Sequence, residues 1–292
     1  MTESVPVIDG LSALAEPYDA FILDLWGVVH DGVRPFPGVN ACLAELRARG
    51  RTVLLLSNAP RRTGAIAGKL GAMGVDPAGW TWLMSSGEAT HEALRDRDAA
   101  PFDRLGRRLY HLGPERDVDV YADLPGYTVV HRLAEADFVL NTGPDSYDET
   151  VDDHRPVLSE AAERGLPMIC ANPDLVVMVG EIRAICAGTL ALEYEAMGGA
   201  VAWIGKPYPA VYRRCLGLMG DPAPDRVLAV GDSLRTDVAG AQAMGFDSLF
   251  VAGGIHGEDL AGPGGALDAG RLADLVADRG IAPNAAIAEL RW

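Results

Sequence analysis

The segment Ala20-Phe21-Ile22-Leu23-Asp24-Leu25-Trp26-Gly27-Val28 places an aspartate at the end of a short apolar run. Such a run, followed by a loop rich in Gly and Pro, predicts a buried strand of a parallel sheet. Burying the charge of Asp24 costs free energy unless a cation or hydrogen-bond donors compensate. Because ligands of open parallel sheets bind beyond the carboxyl ends of the strands, the segment also predicts a polar site there.

Outward from this segment, short apolar runs alternate with longer amphipathic stretches, which is typical of a parallel sheet flanked by helices. The predicted elements are strand 20–25, helix 39–49, strand 52–57, helix 63–73, strand 202–205, helix 210–218, strand 227–230, helix 238–244 and strand 248–251. We interpret the last three strands as the same sheet resumed. The predicted fold class is α/β, with a Rossmann-like, doubly wound parallel sheet as its core.

A second series of alternating elements lies between these two groups of strands. Its apolar runs include residues 129–130, 138–141 and 167–170. The intervening stretch is long enough to form a domain of its own. We therefore predict a catalytic core formed by residues 1–87 and 200–292, interrupted by an inserted α/β domain at 88–199.

The charge balance of the chain indicates which kinds of partner it can bind. The chain of 292 residues has 25 Lys and Arg against 41 Asp and Glu, a net charge of −16. A surface that binds nucleic acid or an anionic membrane needs clustered basic residues, and the sequence contains no basic block. We therefore expect a small-molecule partner, no nucleic acid and no membrane. A hydrophobic fraction of 49% with 23% charged residues is ordinary for a folded protein.

The first twenty residues and the lengths of the apolar stretches also indicate the cellular compartment. Its first twenty residues contain no Lys or Arg, so no secretory n-region is predicted. No apolar stretch approaches the length of about 18 residues that a membrane-spanning helix needs. We expect a cytoplasmic protein in which the four well-separated cysteines stay reduced.

Polar side chains follow four of the predicted strands. In chain order they are Asp24; Ser57 and Asn58; Lys206; and Asp232 and Asp237. A carboxylate at a strand end, a further carboxylate pair, a hydroxyl, an amide and one ammonium group are what phosphoryl transfer through an enzyme carboxylate requires. The sequence therefore predicts a phosphoryl-transfer site at the carboxyl edge of the sheet.

Each of these residues has a predicted role. Asp24 attacks phosphorus, and the carboxylates of Asp24 and Asp232 hold Mg²⁺, which prefers oxygen ligands. Lys206 and the metal neutralise the phosphoryl oxygens, while Ser57 and Asn58 fix them by hydrogen bonds. The predicted ligand is therefore a small phosphorylated metabolite.

These four motifs, in this order, resemble those of the haloacid dehalogenase superfamily of aspartate-nucleophile hydrolases. The matching residues are Asp24-x-Trp26-Gly27-Val28, Ser57-Asn58, Lys206-Pro207 and Gly231-Asp232-Ser233-x-x-Thr236-Asp237. The insertion between Ser57 and Lys206 lies where the class IIA members carry an α/β cap, so the resemblance implies such a cap. Class IIA includes sugar-phosphate, p-nitrophenyl phosphate and pyridoxal phosphate phosphatases. The resemblance further implies Asp237 as a metal ligand, through a water molecule, and a homodimer formed through the cap.

The first motif departs from the family pattern at Trp26. Family phosphatases usually carry Asp-x-Asp, in which the second Asp protonates the leaving-group oxygen and later activates the hydrolytic water. An indole can do neither, although the resemblance implies that the main-chain carbonyl of Trp26 serves as a metal ligand. General acid–base help is typically worth about 10²–10⁴-fold in rate. A simple alkyl phosphate should therefore be a poor substrate unless another group supplies the proton.

Three explanations of Trp26 stay open. The leaving group needs no proton, as in aryl or acyl phosphates; His30 or a cap residue replaces the acid; or the protein is a catalytically weak sensor that binds a phosphorylated ligand. Family dehalogenases carry an aromatic residue here but lack the metal pair that Asp232 and Asp237 would provide. The Trp26 ring itself is either a core aromatic or a wall of the site that excludes water or stacks on a flat substrate.

Overall fold

The computed structural model describes residues 5–179, 182–262 and 266–292. The chain divides into two compact units, which we call the core unit and the inserted unit. The core unit comprises Met1–Ser57, Gly64–Met84 and Lys206–Trp292, and the inserted unit comprises Asn58–Thr63 and Ser85–Gly205. The domain boundaries predicted at 87/88 and 199/200 stay predictions.

A six-stranded sheet with the order β13-β12-β11-β1-β2-β3 forms the centre of the core unit. Its strands are β1 (Ala20–Asp24), β2 (Thr52–Ser57), β3 (Trp82–Ser85), β11 (Val227–Gly231), β12 (Asp247–Val251) and β13 (Ala285–Ile287). Strand β1 pairs in parallel with both β11 and β2. The helices of this unit are α1 (Val39–Ala48), α2 (Thr63–Met73), α6 (Pro209–Met219), α7 (Ala239–Met244), α8 (Gly257–Leu260) and α9 (Ala269–Arg279).

Hydrophobic residues of β1 and of the turn after it form part of the core that packs against this sheet. Leu23, Leu25 and Val28 join one core cluster with Leu43 of α1 and Leu55 of β2. Because the apolar residues on both sides of Asp24 are fixed in this cluster, the carboxylate is held at the carboxyl end of a central strand. The predicted doubly wound α/β fold is confirmed.

The inserted unit contains a second parallel sheet with the order β10-β7-β6-β4-β5. Its strands are β4 (Arg108–Leu112), β5 (Thr128–Val130), β6 (Phe138–Asn141), β7 (Met168–Cys170) and β10 (Val201–Trp203), and an antiparallel pair is formed by β8 (Val176–Val179) and β9 (Ile182–Ile185). Its helices are α3 (Ser86–Asp96), α4 (Val151–Glu163) and α5 (Ala187–Ala196). Helix α4 begins with a capping box between Thr150 and Asp153.

The prediction that the strand at 202–205 continues the first sheet is wrong. The structure pairs β10 with β7 of the second sheet, with Val201 opposite Met168 and Trp203 opposite Cys170. Side chains of β10 pack into the hydrophobic clusters of the inserted unit, where Trp203 contacts the cluster around Met168. An apolar strand of three residues fits any parallel edge, so its sequence does not determine which sheet it joins.

The short segment Asn58–Thr63 is bound to the inserted unit by side-chain hydrogen bonds. The Arg62 guanidinium donates to both carboxylate oxygens of Glu88, at 2.8 and 3.0 Å. The Thr63 backbone N–H donates to the same carboxylate at 3.0 Å, and the Ser85 hydroxyl donates to the Arg61 carbonyl at 2.5 Å. Bidentate Arg–carboxylate pairs are among the stronger side-chain hydrogen bonds, so the segment is firmly held.

The structure also describes the cysteines and the apolar character of the helices. All four cysteines are buried thiols: Cys42, Cys170, Cys186 and Cys215. Among the helices that the structure describes, none combines the length and the apolar character needed to cross a bilayer.

Asp117 gives the inserted unit a predicted pH dependence of stability. The residue is 2% exposed, and burial raises its pKa to about 7, although the charges of Arg116 and Arg61 and a hydrogen bond with Thr142 oppose the rise. An unfolded Asp has a pKa near ~4. Between these two values the folded chain therefore binds more protons, and the free energy of unfolding falls as pH rises.

We therefore expect Asp117→Asn to become more favourable relative to the parent as the pH rises from about 4 to about 8. The difference in unfolding free energy between variant and parent should change by roughly 2–4 kcal/mol over this range. Urea unfolding of both proteins at the two pH values measures it. A difference that is the same at both pH values would contradict the assignment.

Candidate active site

Asp24 and Lys206 form a buried ion pair. The Lys206 Nζ atom lies 2.6 Å from an Asp24 carboxylate oxygen and 2.7 Å from an oxygen of Asp237, and Lys206 is only 3% exposed. Asp24 ends β1, Lys206 precedes α6, and Asp237 lies in the single π-helical turn Leu234–Val238 that follows β11. Residues far apart in the sequence therefore meet at one edge of the sheet.

Asp232 completes a cluster of three carboxylates. Asp24, Asp232 and Asp237 each offer a carboxylate oxygen that lies within 4.8 Å of the other two. The cluster forms because β1 and β11 are parallel neighbours, so that their carboxyl ends lie side by side. The structure thus brings together four of the residues predicted from the sequence: Asp24, Lys206, Asp232 and Asp237.

The Asp232 carboxylate is held between two glycines. A Cβ atom added at Gly27 would lie 1.9 Å from Asp232 Oδ2, and one added at Gly254 would lie 2.1 Å from the same oxygen. Gly27 also has a φ of +79°, which favours glycine. The backbone N–H of Ile255 donates to this oxygen at 2.7 Å. One carboxylate oxygen of Asp232 is therefore closely packed by the two glycines and accepts a backbone hydrogen bond.

The electrostatics of the cluster favour a bound cation. Burial raises the pKa of Asp232 well above its ordinary value, and the negative charges of Asp24 and Asp237 raise it further. The Lys206 ammonium pairs with two of the three carboxylates, Asp24 and Asp237, so three ionised carboxylates would exceed its single positive charge. Hard carboxylate oxygens are the ligands that divalent cations such as Mg²⁺ and Ca²⁺ prefer. The residues present therefore fit a divalent metal ion.

Ser57 and Asn58 fall on different sides of the division between the units. Ser57 is the last residue of β2 and follows Leu56, which is the register partner of Asp24. Asn58 belongs to the inserted unit, where its amide donates to Asp174 at 2.9 Å and its carbonyl oxygen accepts from the Ser86 hydroxyl at 3.3 Å. Ser57 therefore lies next to β1, the strand that ends in Asp24, and the phosphate-binding roles of both residues stay predictions.

Trp26 is half-buried and lies outside the hydrophobic cluster that contains Leu25. Its ring packs edge to face on His30, with 5.4 Å between ring centroids. A Cβ atom at Gly32 would lie 2.5 Å from the indole, so the loop backbone packs directly against the ring. The Lys69 ammonium lies 5.6 Å from the ring centroid. The partial exposure of Trp26 and its position outside the cluster argue against a core aromatic, and its role as a wall of the site stays a prediction.

His30 is buried, and its protonation state determines whether it could donate the proton that Trp26 cannot supply. Burial, together with the positive charge of Lys69, lowers the pKa of His30 to about 4. Its Nδ1 atom accepts the backbone N–H of Gly32 at 3.0 Å, which places the ring proton on Nε2. At pH 7 the ring is neutral and holds no readily released proton. This argues against His30 as the replacement acid but not against a cap residue, and the role of His30 stays a prediction.

The sequence analysis missed Lys69. It lies on α2, a helix whose amphipathic pattern does not show which residues face the Trp26 loop. One signal was present in the sequence: Lys69 and Lys206 are its only lysines, all other basic residues apart from histidine being arginine.

Comparisons with known proteins agree on one family. Residues 21–125 match the family model described as haloacid dehalogenase-like hydrolase, and residues 203–278 match a second one described as HAD-hydrolase-like. A crystal structure of a hydrolase of the haloacid dehalogenase-like family from Brucella suis 1330 is 33% identical, with a TM-score of 0.82, over 97% of this chain and 100% of that one.

Two further relatives have more specific names. Ribonucleotide monophosphatase NagD of Escherichia coli (strain K12) is 27% identical over 248 residues, covering 82% of this chain and 89% of the relative. A crystal structure of glycerol phosphate phosphatase from Mycobacterium tuberculosis in complex with calcium is 26% identical with a TM-score of 0.63, covering 82% of this chain and 68% of that one. These two matches and the match to the Brucella structure each include residues of both units of the chain.

Proposed function

This chain belongs to the haloacid dehalogenase-like hydrolases, and from that premise we propose that it is a Mg²⁺-dependent phosphatase of a small phosphorylated metabolite. The observation that carries the proposal is the buried cluster in which Asp24 lies 2.6 Å from Lys206 and within 4.8 Å of Asp232 and Asp237. Two relatives named as phosphatases support phosphate monoesters as the substrate class.

In the proposed reaction Asp24 is the nucleophile. An oxygen of its carboxylate attacks phosphorus, the bond between phosphorus and the leaving-group oxygen breaks, and that oxygen departs with the electron pair. Water then attacks the phospho-Asp24 intermediate, which releases phosphate and restores the carboxylate. The buried ion pair with Lys206, at 2.6 Å, restricts the orientation of the Asp24 carboxylate, which favours a defined direction of attack.

Lys206, Ser57 and Asn58 are proposed to hold the phosphoryl oxygens. The ammonium of Lys206 is fixed by two carboxylates, and in the reaction it donates to the phosphoryl oxygens and stabilises their charge. The Ser57 hydroxyl and the Asn58 amide donate hydrogen bonds to the same oxygens. Pre-positioned donors of this kind stabilise developing charge without reorganising during the reaction.

We propose that Mg²⁺ is held by Asp24, Asp232 and the Trp26 carbonyl, and by Asp237 through a water molecule. When bound, the cation would neutralise charge on the phosphoryl group and the carboxylates. The contribution of the chain is to hold its ligands in place: Gly27, Gly254 and the Ile255 N–H keep Asp232 oriented toward the cluster.

We expect Asp232→Asn to raise the Mg²⁺ concentration for half-maximal turnover by about 10–100-fold, because it removes a charged ligand. Mg²⁺ should also raise the melting temperature of the parent, since an ion that binds only the folded state stabilises it. The variant should need correspondingly more Mg²⁺ for the same rise.

The exposed Asp278 provides a matched control, because Asp278→Asn removes the same charge outside the cluster. It should leave both midpoints at the parent values. Equal Mg²⁺ midpoints for parent and Asp232→Asn would contradict the metal assignment.

A panel of phosphate esters tests the function itself. With Mg²⁺ present, the protein should release phosphate from p-nitrophenyl phosphate and from at least one class of metabolite esters, with aryl esters faster than alkyl esters. No hydrolysis over the whole panel would overturn the proposed phosphatase.

The second candidate is a sensor that binds a phosphorylated ligand without turnover. Trp26 in place of an acid, with a neutral His30 beside it, is the observation that favours it. Binding of inorganic phosphate or tungstate by calorimetry, together with no turnover on the panel, would favour the sensor.

A further inference from the structure

Lys69 and Lys206 are the only lysines of the chain, and both lie near the proposed nucleophile segment. Lys206 is buried between Asp24 and Asp237. Lys69 is exposed on α2, and its ammonium lies 5.6 Å from the centre of the Trp26 ring. This distance is within the range of a cation–π contact. Lys69 therefore contacts Trp26, which follows the proposed nucleophile Asp24 by two positions.

The charge of Lys69 is available to a ligand. Within residues 5–179, 182–262 and 266–292, no carboxylate lies within the ion-pair distance of 4.0 Å from its ammonium group. Lys206, by contrast, contacts two carboxylates. On a protein with a net charge of −16, an anionic ligand is repelled from most of the surface, so an unpaired ammonium is a favourable place for it.

Trp26 is held in a fixed position beside this ammonium. Gly32 packs against the indole, where any side chain would collide with it, and His30 contacts it edge to face. The indole has no acidic proton to give to a leaving group. A leaving group beside Trp26 therefore departs most readily when it leaves as a stabilised anion, as phenolates and enolates are.

We propose that Trp26 and Lys69 form a leaving-group subsite that selects phosphate esters of phenols or enols carrying a carboxylate. The proposal rests on the proposed phosphatase function and names its substrate class. The bond between phosphorus and the phenolic or enolic oxygen breaks, and that oxygen keeps the electron pair and takes no proton from the enzyme. The carboxylate is unchanged in the reaction and pairs with the Lys69 ammonium.

The test compares 4-carboxyphenyl phosphate with 4-carbamoylphenyl phosphate, which has nearly the same shape and no carboxylate charge. The parent should show a kcat/KM higher by about fivefold or more for the carboxylate ester, as expected for one partly exposed ion pair. Lys69→Met should reduce this ratio to about one, and Lys69→Arg should keep it. The ratio should fall with added salt, because exposed charge pairs are screened.

Arg279→Met is the matched control, since it removes an exposed positive charge from α9. It should leave the ratio at the parent value. An equal ratio in the parent and in Lys69→Met would overturn the subsite.

Binding of the corresponding aryl phosphonates, which are not hydrolysed, separates failure of the subsite from failure of the phosphatase. Calorimetry with Mg²⁺ should show tighter binding of 4-carboxyphenylphosphonate than of 4-carbamoylphenylphosphonate by the parent, and no such preference in Lys69→Met. Equal affinities in the parent overturn the subsite even if both esters are hydrolysed. Absence of hydrolysis with a retained preference overturns the phosphatase and supports the subsite.

Discussion

Asp24→Asn is expected to lower kcat for p-nitrophenyl phosphate by at least ~10³-fold, because an amide cannot replace the attacking carboxylate. The substitution is nearly isosteric, so the strand and its neighbours should not move. Lys206 keeps its second partner, Asp237, at 2.7 Å. Loss of activity that persists at saturating Mg²⁺ would therefore report the nucleophile and not a displaced lysine or a weakened metal site.

The same variant should not lose stability when divalent cations are absent. Asp24 is one of three clustered carboxylates, of which Asp24 and Asp237 pair with the Lys206 ammonium. Removing one negative charge reduces the mutual repulsion of the carboxylates. We expect the melting temperature in EDTA to equal or exceed that of the parent. Turnover within tenfold of the parent would overturn the nucleophile assignment, and a large drop in melting temperature would show that lost activity has a structural cause.

Trp26→Asp is expected to raise kcat/KM for alkyl phosphates by about 10²-fold more than for aryl phosphates. The new carboxyl group can protonate an alkoxide leaving group, which cannot depart easily as an anion, whereas a nitrophenolate gains little from it. Glycerol phosphate and p-nitrophenyl phosphate, assayed with both proteins, measure the difference.

Trp26→Asn is the matched control for this gain. It removes the indole and leaves a side chain of the same size as Asp without an acidic proton, so it should not favour the alkyl ester. If Trp26→Asp and Trp26→Asn respond alike, or if both ester classes change equally with Asp, the missing acid does not limit the parent.

Much of this site could be predicted because parallel strands bring their ends together. Apolar runs identify β1, β2 and β11 in the sequence, and the polar residue after each must lie at the same edge. The meeting of Asp24 with Asp232 and Asp237 follows from that geometry. The roles of Ser57, Asn58 and His30 are predictions that no geometry of the site tests.

Other features could not be predicted, for physical reasons. The three-residue strand β10 joins the second sheet, and its sequence contains nothing that distinguishes one parallel edge from another. Lys69 reaches Trp26 across a tertiary contact between a helix and a loop, and no sequence spacing encodes such a contact. The raised pKa of Asp117 arises from burial, which the polar sequence around it does not suggest.

The division of the chain has a consequence for exchange of parts between relatives. The backbone passes between the two units at four places, because Asn58–Thr63 belongs to the inserted unit together with Ser85–Gly205. A chimera that transplants only the long segment would separate Glu88 from Arg62 and Asp174 from Asn58. A functional graft therefore requires two matched pieces of chain, and recombination at a single insertion point would produce an inserted unit with a foreign loop.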